Sequence, residues 1–182
     1  MKQVNILTLR WRNVFLILAL ILVMVAVFEP TALAFNEDNV EKEPPVEPAV
    51  VLDARFDWMP NPVNVNEEVT GMTQIRYQSW VYAVPIRYIV KVDGRLAKPV
   101  IVSTNLPYKE FVKSDDGWWV YDSGCFIEFN PPGATFTKYL DFKTSASQGG
   151  SYQGIVRHPS LAEDPLCGAD SGLSATAILI VE

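Results

Sequence analysis

Two cysteines, one histidine, a few clustered carboxylates and a pair of adjacent tryptophans are the residues of this chain whose types and spacing could do chemistry. Cys125 and Cys167 are its only cysteines, and in an exported chain two cysteines read as one disulfide. Closing a loop of about 42 residues stabilises by about 4 kcal/mol in the chain-entropy account, and ties the loop after His158 to the sheet. Two separate buried thiols are the alternative. A type 1 copper centre needs two histidines, and His158 is the only one. Ser160 follows it with Pro159 between them, and neither a Gly-flanked nucleophile turn nor a second acid accompanies the pair. His158 therefore reads as a surface-loop residue. Nothing pairs a nucleophile with a base, so the chain reads as a non-enzyme that needs no cofactor.

Asp115-Asp116-Gly117 is explained as a turn. Glu163, Asp164 and Asp170 share the loop that Cys167 pins and form a weak candidate for surface calcium. The alternating acidic spacing of an EF-hand is missing. Trp118 and Trp119 are adjacent on an expected strand, so they point to opposite faces and one enters the core. The other is either covered by a loop such as residues 108–110, or joins Tyr108 and Tyr121 in an exposed patch. Such a patch suits a partner protein, a glycan or a sibling subunit. Trp58 and Trp80 are expected to fill the core.

The elements that must position these residues are strands. From Thr135 to Lys143 the odd positions are Thr135, Thr137, Tyr139, Asp141 and Lys143, while Phe136, Leu140 and Phe142 take three of the four even ones. That period of two is a strand with one wet face. Pro131-Pro132-Gly133 precedes it, and Gly149-Gly150-Ser151-Tyr152 turns into the next strand. Earlier strands are expected over Val50 to Trp58, from Val69 to about Ser79, and from Trp80 to Val92, with Ile86, Tyr88, Val90 and Val92 on one face and Pro85 at a bulge or edge. Asn66 suits a left-handed turn. Asp93-Gly94 predicts a hairpin into Pro99 to Ser103, and Asp116-Gly117 a second hairpin into Trp118 to Tyr121. Gly124 predicts a bulge before Cys125 to Phe129, and Ser174 to Val181 closes the fold. The sum is an all-β antiparallel sandwich of seven to nine strands.

Ahead of it, Lys2, Arg10 and Arg12 precede an apolar run from Val14 to Phe28, and Ala32 and Ala34 flank Leu33. This is the order of a signal peptide over residues 1–34, cleaved after Ala34 or kept as an N-terminal hydrophobic helix that anchors the chain through residues 14–28. Residues 35–48 carry Glu37, Asp38, Glu41, Glu43 and Glu47 with three prolines, an extended acidic linker. The folded domain is expected over residues 49–182. Without Lys2, Arg10, Arg12 and Glu29, 12 basic residues face 20 acidic ones, a net charge of -8 that disfavours nucleic acid.

The turns at Pro60-Asn61-Pro62-Val63 to Val69, Pro132-Gly133 and Gly150-Ser151-Tyr152 resemble those of the immunoglobulin-like modules of prokaryotic surface proteins, particularly the CARDB type. Asn66 stands where those modules usually have Gly, and residues 108–129 look like extra length. The resemblance implies a seven-stranded sandwich used for adhesion or as a spacer. Three functions follow as expectations: an exported contact domain for other surface or membrane proteins, a carbohydrate-binding module using an exposed Trp/Tyr patch, and a single-span accessory subunit of a membrane enzyme complex.

Overall fold

The computed structural model describes residues 49–170 and 172–182. The signal or anchor segment, the Ala32–Ala34 cleavage site and the acidic linker lie outside the described residues. Those described form eleven strands and no helix. One sheet contains β1 (Val50–Met59), β2 (Glu68–Gln78), β9 (Thr135–Ser145) and β5 (Val100–Thr104), in the order β1-β2-β9-β5. The second contains β11 (Leu173–Val181), β10 (Gly150–His158), β4 (Ile89–Asp93), β7 (Trp118–Asp122) and β6 (Val112–Lys113), in the order β11-β10-β4-β7-β6. A separate ribbon pairs β3 (Ala83–Ile86) with β8 (Phe126–Phe129). Every strand pairing is antiparallel.

The inward faces of the two sheets share one apolar core, as a β-sandwich requires. Leu140 and Phe142 of β9 are fully buried, while Thr135, Thr137 and Lys143 stay exposed. Phe56, Trp58 and Phe142 meet ring to ring at centroid distances of 4.9 to 6.0 Å. The Phe56 and Trp58 rings lie over Gly154, and the Phe142 ring over Gly71, so that a Cβ at either glycine would collide with them. Asn66 takes a φ of 66°, the left-handed conformation expected of it.

Four expectations are corrected. The strand foreseen from Trp80 to Val92 is two strands in different sheets. Burial continues through Ile86, Tyr88, Val90 and Val92, but the chain changes partner at Arg87. There Arg87 reaches Asp122 at 2.5 Å and Asp164 at 3.0 Å, and the Tyr88 amide donates to the Ser123 hydroxyl at 2.8 Å. Asp93-Gly94 is a turn without a hairpin. Because β4 already pairs with β10 and β7, the chain must leave that sheet and continues as β5 beside β9. Gly124, at φ 68°, marks a crossing from β7 to the ribbon rather than a bulge within one strand. These partings raise the strand count from the expected seven to nine to eleven, nine of them in the two larger sheets. The Asp116-Gly117 hairpin forms as read, with Lys113 opposite Trp119 and Gly117 at φ 85°.

Candidate contact surface

The four aromatic residues singled out in the sequence lie in three different environments. Trp119 turns inward and packs against the core, its indole N–H donating to the Leu96 carbonyl at 3.0 Å and its ring lying 5.2 Å from the Lys113 ammonium. Trp118, one residue away, sits half-buried on the outer face of the five-stranded sheet. Tyr121 is fully buried; its hydroxyl donates to the Pro107 carbonyl at 2.7 Å, and burial pushes its pKa up to about 12. It is therefore removed from any surface patch. Tyr108 is 84% exposed, on the loop between β5 and β6.

The concentration of exposed rings is on the β3–β8 ribbon. Trp80, Tyr82 and Phe129 are 62%, 63% and 62% exposed, and Ile127 beside them is also exposed. Trp80 thus stands outside the core in which it was expected. The reason is local: the Ser79 hydroxyl accepts from the Val81 amide at 3.2 Å and donates to the Val81 carbonyl at 2.8 Å, bending the chain out of β2. Hydrogen bonds from Gly133 N–H to the Ser79 carbonyl (2.7 Å) and from Asn130 N–H to the Tyr82 carbonyl (2.9 Å) then zip residues 79–82 to the Pro131-Pro132-Gly133 turn. Trp80 lies over Gly133. The Tyr82 and Phe129 rings sit 5.7 Å apart, tilted by 47°.

Beneath this face the ribbon is anchored by charge. Lys138 is the one charged residue on the inward, even face of β9, and it is buried. It pairs with Glu128 at 2.6 Å and lies 5.7 Å from the Phe126 ring. Glu128 must therefore point inward, and strand alternation sends its neighbours Ile127 and Phe129 outward. This was the signal available in the sequence: a lysine on the apolar face of β9 needs a buried carboxylate, because an unpaired buried charge is prohibitively costly. The nearest suitable acid in the chain, Glu128, fixes which side of β8 is wet. The Cys125–Cys167 disulfide, with Cα atoms 5.6 Å apart, fastens the start of β8 to the loop after β10.

His158 is corrected from a surface loop to the core. It ends β10 with 2% exposure, its Nδ1 lies 3.3 Å from the Tyr77 hydroxyl, and burial lowers its pKa to about 4. The ring packs edge-on to Tyr77, which stacks on Phe136. Ser160 is engaged elsewhere: its amide and its hydroxyl both donate to Glu163, at 2.9 and 3.3 Å. Glu163 also binds Arg157 at 3.1 Å. Asp164 binds Arg87 and accepts from the Leu166 and Cys167 amides at 3.2 and 3.1 Å, so its carboxyl sits below the usual carboxylate range, chiefly through Arg87. Asp170 is exposed. Among the described residues no three His, Cys, Asp or Glu side chains converge as a group able to hold a metal ion. No protein-family model matches the chain and no curated protein matches it, so the reading of its role rests on this geometry.

Proposed function

We propose that this chain is a non-catalytic, exported contact domain of immunoglobulin-like type, and that the Trp80, Tyr82, Ile127 and Phe129 face docks on an uncharged surface of another cell-surface or membrane protein. The observation that carries this reading is a cluster of large exposed rings on a ribbon held rigid from below by a buried ion pair and at one end by a disulfide. Soluble domains rarely leave such rings together in water, and exposed Trp and Tyr are the residues that concentrate binding energy in interfaces. A ribbon already fixed in place loses little entropy on docking. The disulfide suits an oxidising compartment outside the cytoplasm. A glycan platform is less well supported, because rings tilted by 47° offer a sugar no flat surface.

The test is site-specific photocrosslinking in the native cells, with the crosslinker at position 82 and, as control, at position 74 on the outer face of the other sheet. A discrete protein adduct from position 82, lost in the Phe129→Ala variant and absent from position 74, supports the reading. Adducts of equal strength from both positions, or retention of the domain on immobilised polysaccharide that depends on Trp80, would overturn it.

A further inference from the structure

The segment that carries Cys125 and the segment that carries Cys167 are joined twice. The disulfide is one rung, with Cα atoms 5.6 Å apart. Arg87 is the other. Its Nε donates to Asp122 Oδ1 at 3.0 Å, its Nη2 to Asp122 Oδ2 at 2.5 Å, and its Nη1 to Asp164 Oδ2 at 3.0 Å. Each of these carboxylates stands three residues ahead of a bonded cysteine. Each also grips backbone close to it: Asp122 accepts from the Gly124 amide at 2.9 Å, and Asp164 from the Cys167 amide at 3.1 Å. Charge-assisted bonds from an Arg fork fix geometry as well as energy. Arg87 therefore holds the backbone beside both sulfurs whether or not the sulfurs are joined.

The two rungs restrain different things. Arg87 acts on β8 only through Asp122 of β7, and Ser123 and Gly124 intervene. Gly124, at φ 68°, is a conformation that glycine adopts cheaply and a natural hinge. At its other end the ribbon is zipped to the Pro131-Pro132-Gly133 turn by hydrogen bonds from Asn130 and Gly133. Opening the disulfide thus frees the Phe126 end of β8. Among the described residues the apolar core between the sheets is made without either cysteine, so the sandwich keeps its packing.

Access to the bond is one-sided, because Cys125 is exposed and Cys167 is fully buried. A thiolate of a dithiol reductant attacks Cys125 Sγ, the S–S bond breaks, and its electron pair leaves on Cys167 Sγ. The second thiol of the reductant then displaces Cys125. Two electrons and the two thiol protons pass to the cysteines, and the reductant ends as its own disulfide. Building on the ribbon's proposed role as the contact face, we infer that Cys125–Cys167 is a reversible redox latch on that face. Closed, it holds Ile127 and Phe129 ready for the partner. Opened, it loosens β8 about Gly124 and weakens docking, since a ribbon that must be reordered loses entropy on binding. Arg87 meanwhile keeps the two cysteines aligned for reclosure.

The experiment is hydrogen exchange on the full chain with and without dithiothreitol, joined to crosslinking from position 82. On reduction the amides of residues 126–129 are expected to exchange about tenfold faster or more, while those of β2 and β9 hold their rates, as a local opening requires. Removing the reductant should restore the original rates. Arg87→Lys, which keeps the charge but loses the fork, is expected to slow reclosure severalfold. Cys125→Ser, a change at an exposed position, should cut the position-82 adduct severalfold in oxidising conditions. Exchange unchanged by reduction, equal acceleration in β2 and β9, reclosure as fast in Arg87→Lys as in the native chain, or a Cys125→Ser adduct as strong as the native one overturns the inference. Loosening of residues 126–129 with no adduct in either redox state confirms the latch and overturns the contact reading instead.

Discussion

The inter-sheet core and the β3–β8 ribbon are both built from aromatic rings, and they use them in opposite ways. In the core, Phe56, Trp58 and Phe142 of one sheet close on one another and press on Gly71 of their own sheet and Gly154 of the facing sheet, leaving no face to water. On the ribbon, Tyr82 and Phe129 touch each other but have protein on one side only, and what lies beneath them is a lysine–glutamate pair. Ring content alone does not separate a packing region from a contact region. The deciding factor is whether a second sheet arrives to cover the rings, and that is a property of topology.

The sharpest way to break the comparison is at Trp58. Trp58→Ala removes a side chain held between Phe56, Phe142 and Gly154, and should cost about 3–5 kcal/mol, as deletions of large core aromatics do. Against a total stability of about 5–15 kcal/mol for a domain of this kind, urea denaturation should show a midpoint displaced far toward zero. A loss below about 1 kcal/mol, the level of an ordinary surface change, would place Trp58 in the same class as the ribbon rings and erase the distinction.

The next effect is a pH dependence confined to the core. His158 is held neutral, with its pKa lowered from 6.5 to about 4 by burial. Between those values the unfolded chain binds a proton that the folded one refuses, so stability falls as the pH drops from about 6.5 to about 4. Fully expressed, this difference amounts to about 3 kcal/mol. Thermal melts across that window should show the decline in the native chain and a flatter profile in His158→Gln. The carboxylates bound to arginine, Asp122 and Asp164, have lowered pKa values and lose their stabilisation only at more acidic pH. An identical slope in His158→Gln would show that the histidine is not buried neutral.

What the sequence revealed and what it withheld divide along the same line. The alternation in Thr135 to Lys143, the Cys125–Cys167 bridge, the left-handed Asn66 and the Asp116-Gly117 hairpin all depend on a residue's own conformation or on a pairing with no competitor, and they were readable. The opposite fates of Trp118 and Trp119 followed from strand alternation alone. Trp80 was misread because Trp80 to Val92 keeps a plausible alternating pattern while the chain passes from the ribbon into another sheet. His158 was misread because residues around it look like a loop, yet β10 runs one residue further and carries it inward against Tyr77. Asp93-Gly94 was misread because a turn signal does not say whether the sheet it would extend is already full. The contact surface became visible only through Lys138 and Glu128, ten residues apart and on different sheets.

The smallest expected effect sharpens the comparison most. Trp80→Ser removes a ring of the same size as Trp58, but one that rests on the Gly133 turn with most of its surface in water. Its removal should change stability by less than about 0.5 kcal/mol, the usual range for a surface position, because little burial is lost and no cavity forms. Tryptophan emission should lose its component most readily quenched by acrylamide, whereas Trp58→Ala should leave that component in place. Two substitutions of one residue type would then differ by several kcal/mol in folding and in the opposite sense in partner contact. If Trp80→Ser instead destabilised the fold as much as Trp58→Ala, the ribbon rings would be packing elements. The contact reading would then lose the observation it stands on.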